Sequence, residues 1–221
     1  MLTWFAPETS KKAKGAVASL KPQITVPIQA RKAFLFVSPV NMAVWMLGGF
    51  YSSLMPSLIL DIMHLDSPWL GGSVVAALTL TGGLAVIVAR NFTSFTTLLS
   101  GAISLLVGLA IILIGANTSN SLLLMVGSIV TGFGFGAGFL GSVRSVLPLA
   151  EPHQRASLMG VFYTESYLAN SLPTIAIGYL AQKTNLLTAV NVYGVLIALL
   201  VLLAILLLFL KTKATKEGLL P

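Results

Sequence analysis

The chain has 221 residues, of which 56% are hydrophobic and only 9% are charged, and its formal net charge is +7. Soluble domains carry roughly 25% charged residues, so this composition excludes an ordinary water-soluble globule. The basic residues lie between long apolar blocks, and we therefore attribute the positive charge to membrane topology rather than to nucleic-acid binding. The chain has no cysteine, which excludes disulfides, a thiol nucleophile and thiolate metal sites.

Six apolar runs, each of about 20 residues or more, predict an all-α integral membrane protein with a six-helix transmembrane bundle over residues 33–210. Residues 1–32 are predicted to be an apolar stub followed by a basic linker, and residues 211–221 a tail. Short connections make each span antiparallel to the span before it. In chain order, the predicted spans are Ala33–Leu60, Trp69–Ala89, Phe95–Ala116, Ser121–Val143, Ala156–Ala181 and Leu187–Leu210.

Lysine and arginine are distributed very unevenly between the two sides of these spans. Twelve of the thirteen basic residues fall in the terminal segments and in the loops on one side, whereas Lys183 alone falls on the other. Loops rich in lysine and arginine stay in the cytoplasm. The sequence therefore predicts a multi-pass protein of the cytoplasmic (inner) membrane, surrounded by the lipid bilayer, with both termini in the cytoplasm.

The fifth span contains Glu165, the one acidic residue that lies deep inside an apolar run. A charged side chain near the middle of a bilayer costs at least a few kcal/mol and usually marks a transport path or a proton relay. We therefore predict that Glu165 binds and releases a coupling proton. The alternative is a structural role, with a hydrogen bond to Tyr163, to Asn170 or to a neighbouring span.

Further polar and aromatic side chains predict a substrate cavity within the bundle. The residues proposed to line it are Asn41, Tyr163, Tyr167, Asn170 and Thr174, and the last four share one helical face. At 100° per residue, Glu165 lies roughly 160–200° around the helix from the two tyrosines, so the carboxyl group need not share that cavity. The alternative is that either face only satisfies contacts between helices.

The fourth span is rich in glycine, and Gly132, Gly134, Gly136 and Gly138 are predicted to be helix-packing positions. Glycines four residues apart form small-xxx-small pairs, which let two helix backbones approach closely. A second interpretation is a helix that bends or slides during a conformational cycle.

The order of these features resembles the C-terminal half of a major facilitator superfamily transporter, that is, its helices seven to twelve. The sequence Phe5-Ala6-Pro7-Glu8-Thr9 is similar to the end of that family's sixth helix. Helix ten, its loop and helix eleven are similar to Gly132-Phe133-Gly134-Phe135-Gly136, Arg144-Ser145-Val146-Leu147-Pro148-Leu149, Arg155-Ala156-Ser157-Leu158-Met159-Gly160 and Tyr167-Leu168-Ala169-Asn170-Ser171-Leu172-Pro173. By contrast, the loop Arg90–Ser94 lacks the Gly/Asp/Arg pattern of many family members.

The resemblance implies two six-helix bundles that rock about a central site, proton coupling, and a small organic solute, with efflux favoured over uptake. It also implies that a missing N-terminal half, or a second copy of the chain, is the partner. The alternative is a membrane fragment or assembly module that transports nothing. An enzyme is disfavoured because Glu165 has no catalytic partner in the sequence, and no cofactor motif is present. Asp61, His64 and Asp66 share one short loop without a fourth ligand, so no metal site is predicted.

Overall fold

The computed structural model describes residues 25–62 and 68–216, and the regular structure in these two ranges is entirely helical. Each of the six predicted spans corresponds to one long helix. These helices are α1 (Ile28–Ser53), α2 (Pro68–Ala89), α3 (Ser94–Asn117), α4 (Ser121–Val146), α5 (Arg155–Lys183) and α6 (Leu186–Lys216). Short helical turns follow α1 at Met55–Ser57 and Leu58–Ile62, and two more, Leu147–Leu149 and Pro152–Gln154, connect α4 to α5.

Five helices in the described ranges are long and apolar enough to cross a membrane: Ile28–Ser53, Gly71–Ala89, Ser94–Asn117, Ser121–Leu149 and Leu186–Leu210. The prediction of an all-helical chain with several membrane-length apolar helices is therefore confirmed. Helix α5 has 29 residues, which is ample length, but it is not one of these five. Its polar stretch Tyr163-Thr164-Glu165-Ser166 lowers the hydropathy of the helix in its middle.

The first helix begins and ends earlier than predicted. It starts at Ile28, directly after Pro27, although Arg31 and Lys32 interrupt the apolar run and placed the predicted start at residue 33. It stops at Ser53, before Pro56, which lies in the first turn of the next helical segment. Proline has no backbone N–H and its ring clashes with the carbonyl four residues earlier, so the α-helix does not continue through it to Leu60.

Several predictions concern residues outside the described ranges. They include the similarity at Phe5-Ala6-Pro7-Glu8-Thr9, the basic linker up to Lys21, and the loop residues His64 and Asp66.

Helix α4 occupies the centre of one half of the bundle, where it packs against α3, α2 and α1. The four predicted packing glycines divide between these partners. A Cβ atom at Gly132 or Gly136 would meet the backbone of α2, and one at Gly134 would lie 2.5 Å from the Leu105 nitrogen of α3. A Cβ at Gly138 would lie 3.0 Å from the Val44 side chain of α1. The glycines thus allow α4 to approach three helices at once.

The other half of the bundle is organised by α1, which packs against α5 and α6 as well as α4. Tyr51 ties α1 to α4, because its hydroxyl donates a hydrogen bond to Ser128 Oγ (2.7 Å) and lies 3.2 Å from Thr131 Oγ1. Pro39 in α1 and Pro173 in α5 lie inside continuous helices. Neither proline interrupts its helix, unlike Pro56 beyond α1.

Polar contacts bring the basic loops to one end of the bundle. Arg144 Nη1, at the end of α4, donates to the carbonyl oxygens of Ala89 (3.1 Å) and Arg90 (3.3 Å) at the end of α2. At the start of α5, Gln154 accepts a hydrogen bond from Gln29 of α1 at 2.7 Å. The start of α1, the end of α2, the end of α4 and the start of α5 therefore lie together, as the predicted antiparallel order requires.

Candidate functional site

Glu165 lies in an open groove of about 440 Å³ between α1 and α5. Apart from Glu165 and Thr164, the walls of this groove are apolar. Helix α1 contributes two of these side chains, Phe34 and Met42, and the rest come from α5. We call this feature the α1–α5 groove. Beside Glu165, its α5 wall includes Val161, Thr164, Leu168, Ala169 and Leu172.

The carboxyl group of Glu165 is half-buried and lies beside the side chains of Ser38 and Asn41 of α1. Its Oε2 is buried and has no hydrogen-bond partner among the described residues. Ser38 Oγ donates to the Phe34 carbonyl at 2.9 Å. A buried polar atom left without a partner costs about 1–3 kcal/mol, so the arrangement around Glu165 is not the one that stability alone would favour.

Asn41 is fully buried, and its two amide atoms are in different situations. Its Nδ2 donates to Ser166 Oγ at 3.0 Å, and Ser166 Oγ in turn donates to the Phe162 carbonyl at 2.8 Å. Its Oδ1 is buried without a partner within the described ranges. Two buried acceptor oxygens, Asn41 Oδ1 and Glu165 Oε2, therefore lack a donor at the contact between α1 and α5.

No basic side chain in the described part of the chain pairs with Glu165. The one ion pair found among the described residues joins Glu151 to His153 at 3.5 Å, and both side chains are exposed. The basic residues of α1 and α5 lie near the ends of these helices, at Arg31, Lys32, Arg155 and Lys183. A negative charge on Glu165 would thus have no counter-ion among residues 25–62 and 68–216.

The two tyrosines predicted to line a cavity lie on the other flank of α5. Tyr163 and Tyr167 stack with their ring centroids 6.3 Å apart, and they are 40% and 62% exposed. The Tyr167 ring also lies 5.3 Å from that of Trp45 on α1. Neither tyrosine borders the α1–α5 groove, so the carboxyl group and the tyrosine pair occupy different faces of α5.

The remaining predicted cavity residues lie in contacts between helices. Asn170 Nδ2 donates to the Trp45 carbonyl at 3.1 Å, and Thr174 Oγ1 donates to the Asn170 carbonyl at 2.5 Å. Thr174 Oγ1 is also 3.1 Å from the hydroxyl of Tyr193, which donates to the Met46 carbonyl of α1 at 3.1 Å. Asn170 and Thr174 thus fasten α1, α5 and α6 to one another. Asn41 lies beside the carboxyl group of Glu165 and not with the two tyrosines.

Two residues near the site were not predicted from the sequence. Ser38 borders Glu165, and Trp45 has a buried indole Nε1 that lacks a partner among the described residues. Ser38, Asn41 and Trp45 are spaced by three and four residues, which places them on one face of α1. That spacing is the signal by which the sequence could have revealed a polar face of α1 opposite α5.

The site combines two buried oxygens that lack a hydrogen-bond partner within the described ranges, Glu165 Oε2 and Asn41 Oδ1, with an apolar groove that opens beside them. This combination is suited to exchanging a proton or a cation. No protein-family model, curated protein or solved structure matches the chain. The resemblance to the major facilitator superfamily thus remains a prediction from the sequence.

Proposed function

We propose that the chain is one six-helix half of a secondary transporter of the major facilitator type, which moves a small organic solute in exchange for protons. In this proposal the chain resides in the cytoplasmic membrane with both termini in the cytoplasm. The observation that carries the proposal is the buried Glu165 Oε2, which has no hydrogen-bond partner within the described ranges. Intramembrane carboxyl groups without a structural partner are typical of proton relays and transport paths.

The proposal requires that α5 cross the membrane in addition to the five helices that are apolar enough to do so. Its 29 residues make a helix about 44 Å long at 1.5 Å per residue, which exceeds the roughly 30 Å of a bilayer core. Two of its central polar residues contact α1: Ser166 accepts a hydrogen bond from Asn41, and Asn170 donates one to the Trp45 carbonyl. Such pairing shelters part of the polar face of α5 from lipid and supports its insertion beside α1.

A second half, or a second copy, is part of the proposal because such transporters work at the interface between two bundles. Helix α2 packs mainly on α4 and has an exposed face on which Trp69 and Leu80 are 87% and 68% exposed. A Cβ atom at Gly72 or Gly83 would meet nothing within 4 Å. This face favours the second candidate function as well, an assembly module that packs against another membrane protein without transporting a solute.

The test compares native membrane vesicles that contain the unaltered chain, Glu165→Gln or Glu165→Asp, so that any partner half is present. Solute gradients of an organic amine, a sugar and a carboxylic acid are imposed in turn, and a trapped pH-sensitive dye reports proton movement. We expect a gradient of one class of solute to drive proton movement in vesicles with the unaltered chain. Proton movement should be slower with Glu165→Asp and absent with Glu165→Gln. Asp61→Asn is the control, since Asp61 is exposed and lies outside the groove.

Proton movement that Glu165→Gln leaves intact would refute the role of Glu165. Proton movement with none of the three solutes would instead favour the assembly module.

A further inference from the structure

The α1–α5 groove combines apolar walls with the carboxyl group of Glu165, whose Oε2 has no hydrogen-bond partner among the described residues. We propose that this groove is a binding site for hydrophobic organic cations, such as amines with a bulky apolar body, and that Glu165 is the counter-ion. The inference rests on the proposed function in that it names the class of solute, but binding can be measured without transport.

The charge of Glu165 favours a cationic ligand. Glu165 has no basic neighbour among the described residues, where the one ion pair is that of Glu151 with His153. Its Oε2 is buried and unpartnered within the same ranges. An ammonium group in the groove beside Glu165 would bring both a hydrogen-bond donor and the missing positive charge to its carboxyl group, and charge-assisted hydrogen bonds are stronger than neutral ones.

The size and the lining of the α1–α5 groove favour a ligand with an apolar body. A volume of about 440 Å³ lies within the range of about 300–1,000 Å³ that is usual for small-molecule sites. Phe34 and Met42 on α1 face Leu168 and Leu172 on α5 across this volume. These side chains offer an apolar surface to the body of a ligand and no hydrogen-bonding group. The ligand that fits them is therefore apolar except at one end.

The same contacts disfavour other ligand classes. A metal ion such as Mg²⁺ or Ca²⁺ needs several oxygen ligands, and the groove offers few. Thr164 lies in its wall, but the hydroxyl of Thr164 donates to the Gly160 carbonyl at 2.8 Å. An anion would meet the charge of Glu165 with no compensating base. A lipid tail or another neutral ligand would fit the walls but would leave Glu165 Oε2 unpartnered.

The experiment compares two probes that differ only in charge. Both carry a dansyl fluorophore on a short alkyl chain; one ends in a primary ammonium group and the other in its neutral carbon isostere, a methyl group. The purified full chain in dodecyl maltoside micelles is titrated with each probe, and protein-free micelles give the background from partitioning. We expect the ammonium probe to bind at least about tenfold more tightly than its isostere, the scale of one hydrogen bond to a charged group.

Three variants locate the site. Glu165→Gln keeps the size of the side chain, and we expect it to remove the tenfold preference for the ammonium probe. Leu172→Trp keeps the carboxyl group but fills the groove from its exposed side, because Leu172 is 60% exposed. We expect this variant to bind both probes more weakly. Asp61→Asn removes a carboxyl group outside the groove and should change neither affinity. Circular dichroism and size-exclusion chromatography verify that each variant is folded.

Each contrary outcome overturns the inference. Equal affinity of the unaltered chain for the two probes would show that the groove accepts apolar groups regardless of charge, as a lipid-filled surface groove does. A charge preference that survives in Glu165→Gln would place the cation elsewhere, and the absence of binding by either probe would exclude the site. Proton-coupled movement of a sugar or an acid without cation binding would retain the proposed function and refute this inference alone.

Discussion

Replacing Gly136 with alanine tests whether α2 and α4 touch through their backbones. A Cβ atom at Gly136 would fall on the Gly82 carbonyl oxygen and would lie 2.7 Å and 2.9 Å from the carbonyl carbon and Cα of Gly82. Backbone atoms cannot rotate away as the end of a side chain can, so α2 would have to shift. Overpacking of this kind typically costs about 1–3 kcal/mol, and we expect the free energy of unfolding to fall by that amount.

The matched control is Gly160→Ala in α5, where a Cβ atom would meet nothing within 4 Å. Alanine favours the helix over glycine by about 0.8–1.0 kcal/mol, so Gly160→Ala should leave the free energy of unfolding unchanged or raise it slightly. Both variants can be unfolded with sodium dodecyl sulfate in mixed micelles and followed by circular dichroism. If the two alanine variants unfold at the same detergent fraction, the direct backbone contact between α2 and α4 is refuted.

Two further predictions use the same unfolding titration. Tyr51→Phe removes the hydroxyl that bonds to Ser128 at 2.7 Å. We expect the free energy of unfolding to fall by about 0.6 kcal/mol, the average measured for hydrogen bonds between membrane helices, and by no more than the measured maximum of about 1.7 kcal/mol; an unchanged midpoint would contradict the contact. Asn117 and Asn191 exchange two amide hydrogen bonds of 2.7 Å and 3.1 Å between α3 and α6. A double-mutant cycle with Asn117→Leu and Asn191→Leu should yield a coupling free energy of about 0.6 kcal/mol. If the two losses in the free energy of unfolding are strictly additive, the hydrogen bonds between these side chains are absent.

The positions of the helices were largely predictable because apolar runs and helix caps are local features. Asn120, for example, precedes α4 and its side chain accepts hydrogen bonds from the backbone N–H groups of Leu122 (3.0 Å) and Leu123 (3.2 Å). Thr93 caps α3 in the same way, at 3.2 Å from the Thr96 nitrogen. Where a capping residue stands next to an apolar run, the start of the helix follows from the sequence.

The pairing of the helices was not predictable in the same way. Glycines four residues apart indicate that a helix has a face suited to close packing, but they do not identify the neighbour. Gly132 and Gly136 face α2, whereas Gly134 faces Leu105 of α3. The contact of Glu165 with Asn41 likewise joins two helices that are far apart in the sequence, and no local spacing encodes it. The predicted cavity combined one face of α5 with Asn41 of α1, and it omitted Ser38 and Trp45, which share that face of α1.

The low hydropathy of α5 and the unsatisfied oxygens at its contact with α1 have one origin, the polar residues at the middle of α5. If this contact served only to hold the two helices together, apolar side chains of similar size would serve it better. Replacing a buried polar pair by well-packed apolar groups is often neutral or stabilising, and it would also ease insertion into the bilayer. The chain instead keeps Glu165 beside Asn41, with Glu165 Oε2 and Asn41 Oδ1 unpartnered among the described residues. A cost of this kind is expected where a proton or a cation is bound and released in turn, because a fully satisfied carboxyl group would have little to gain from either.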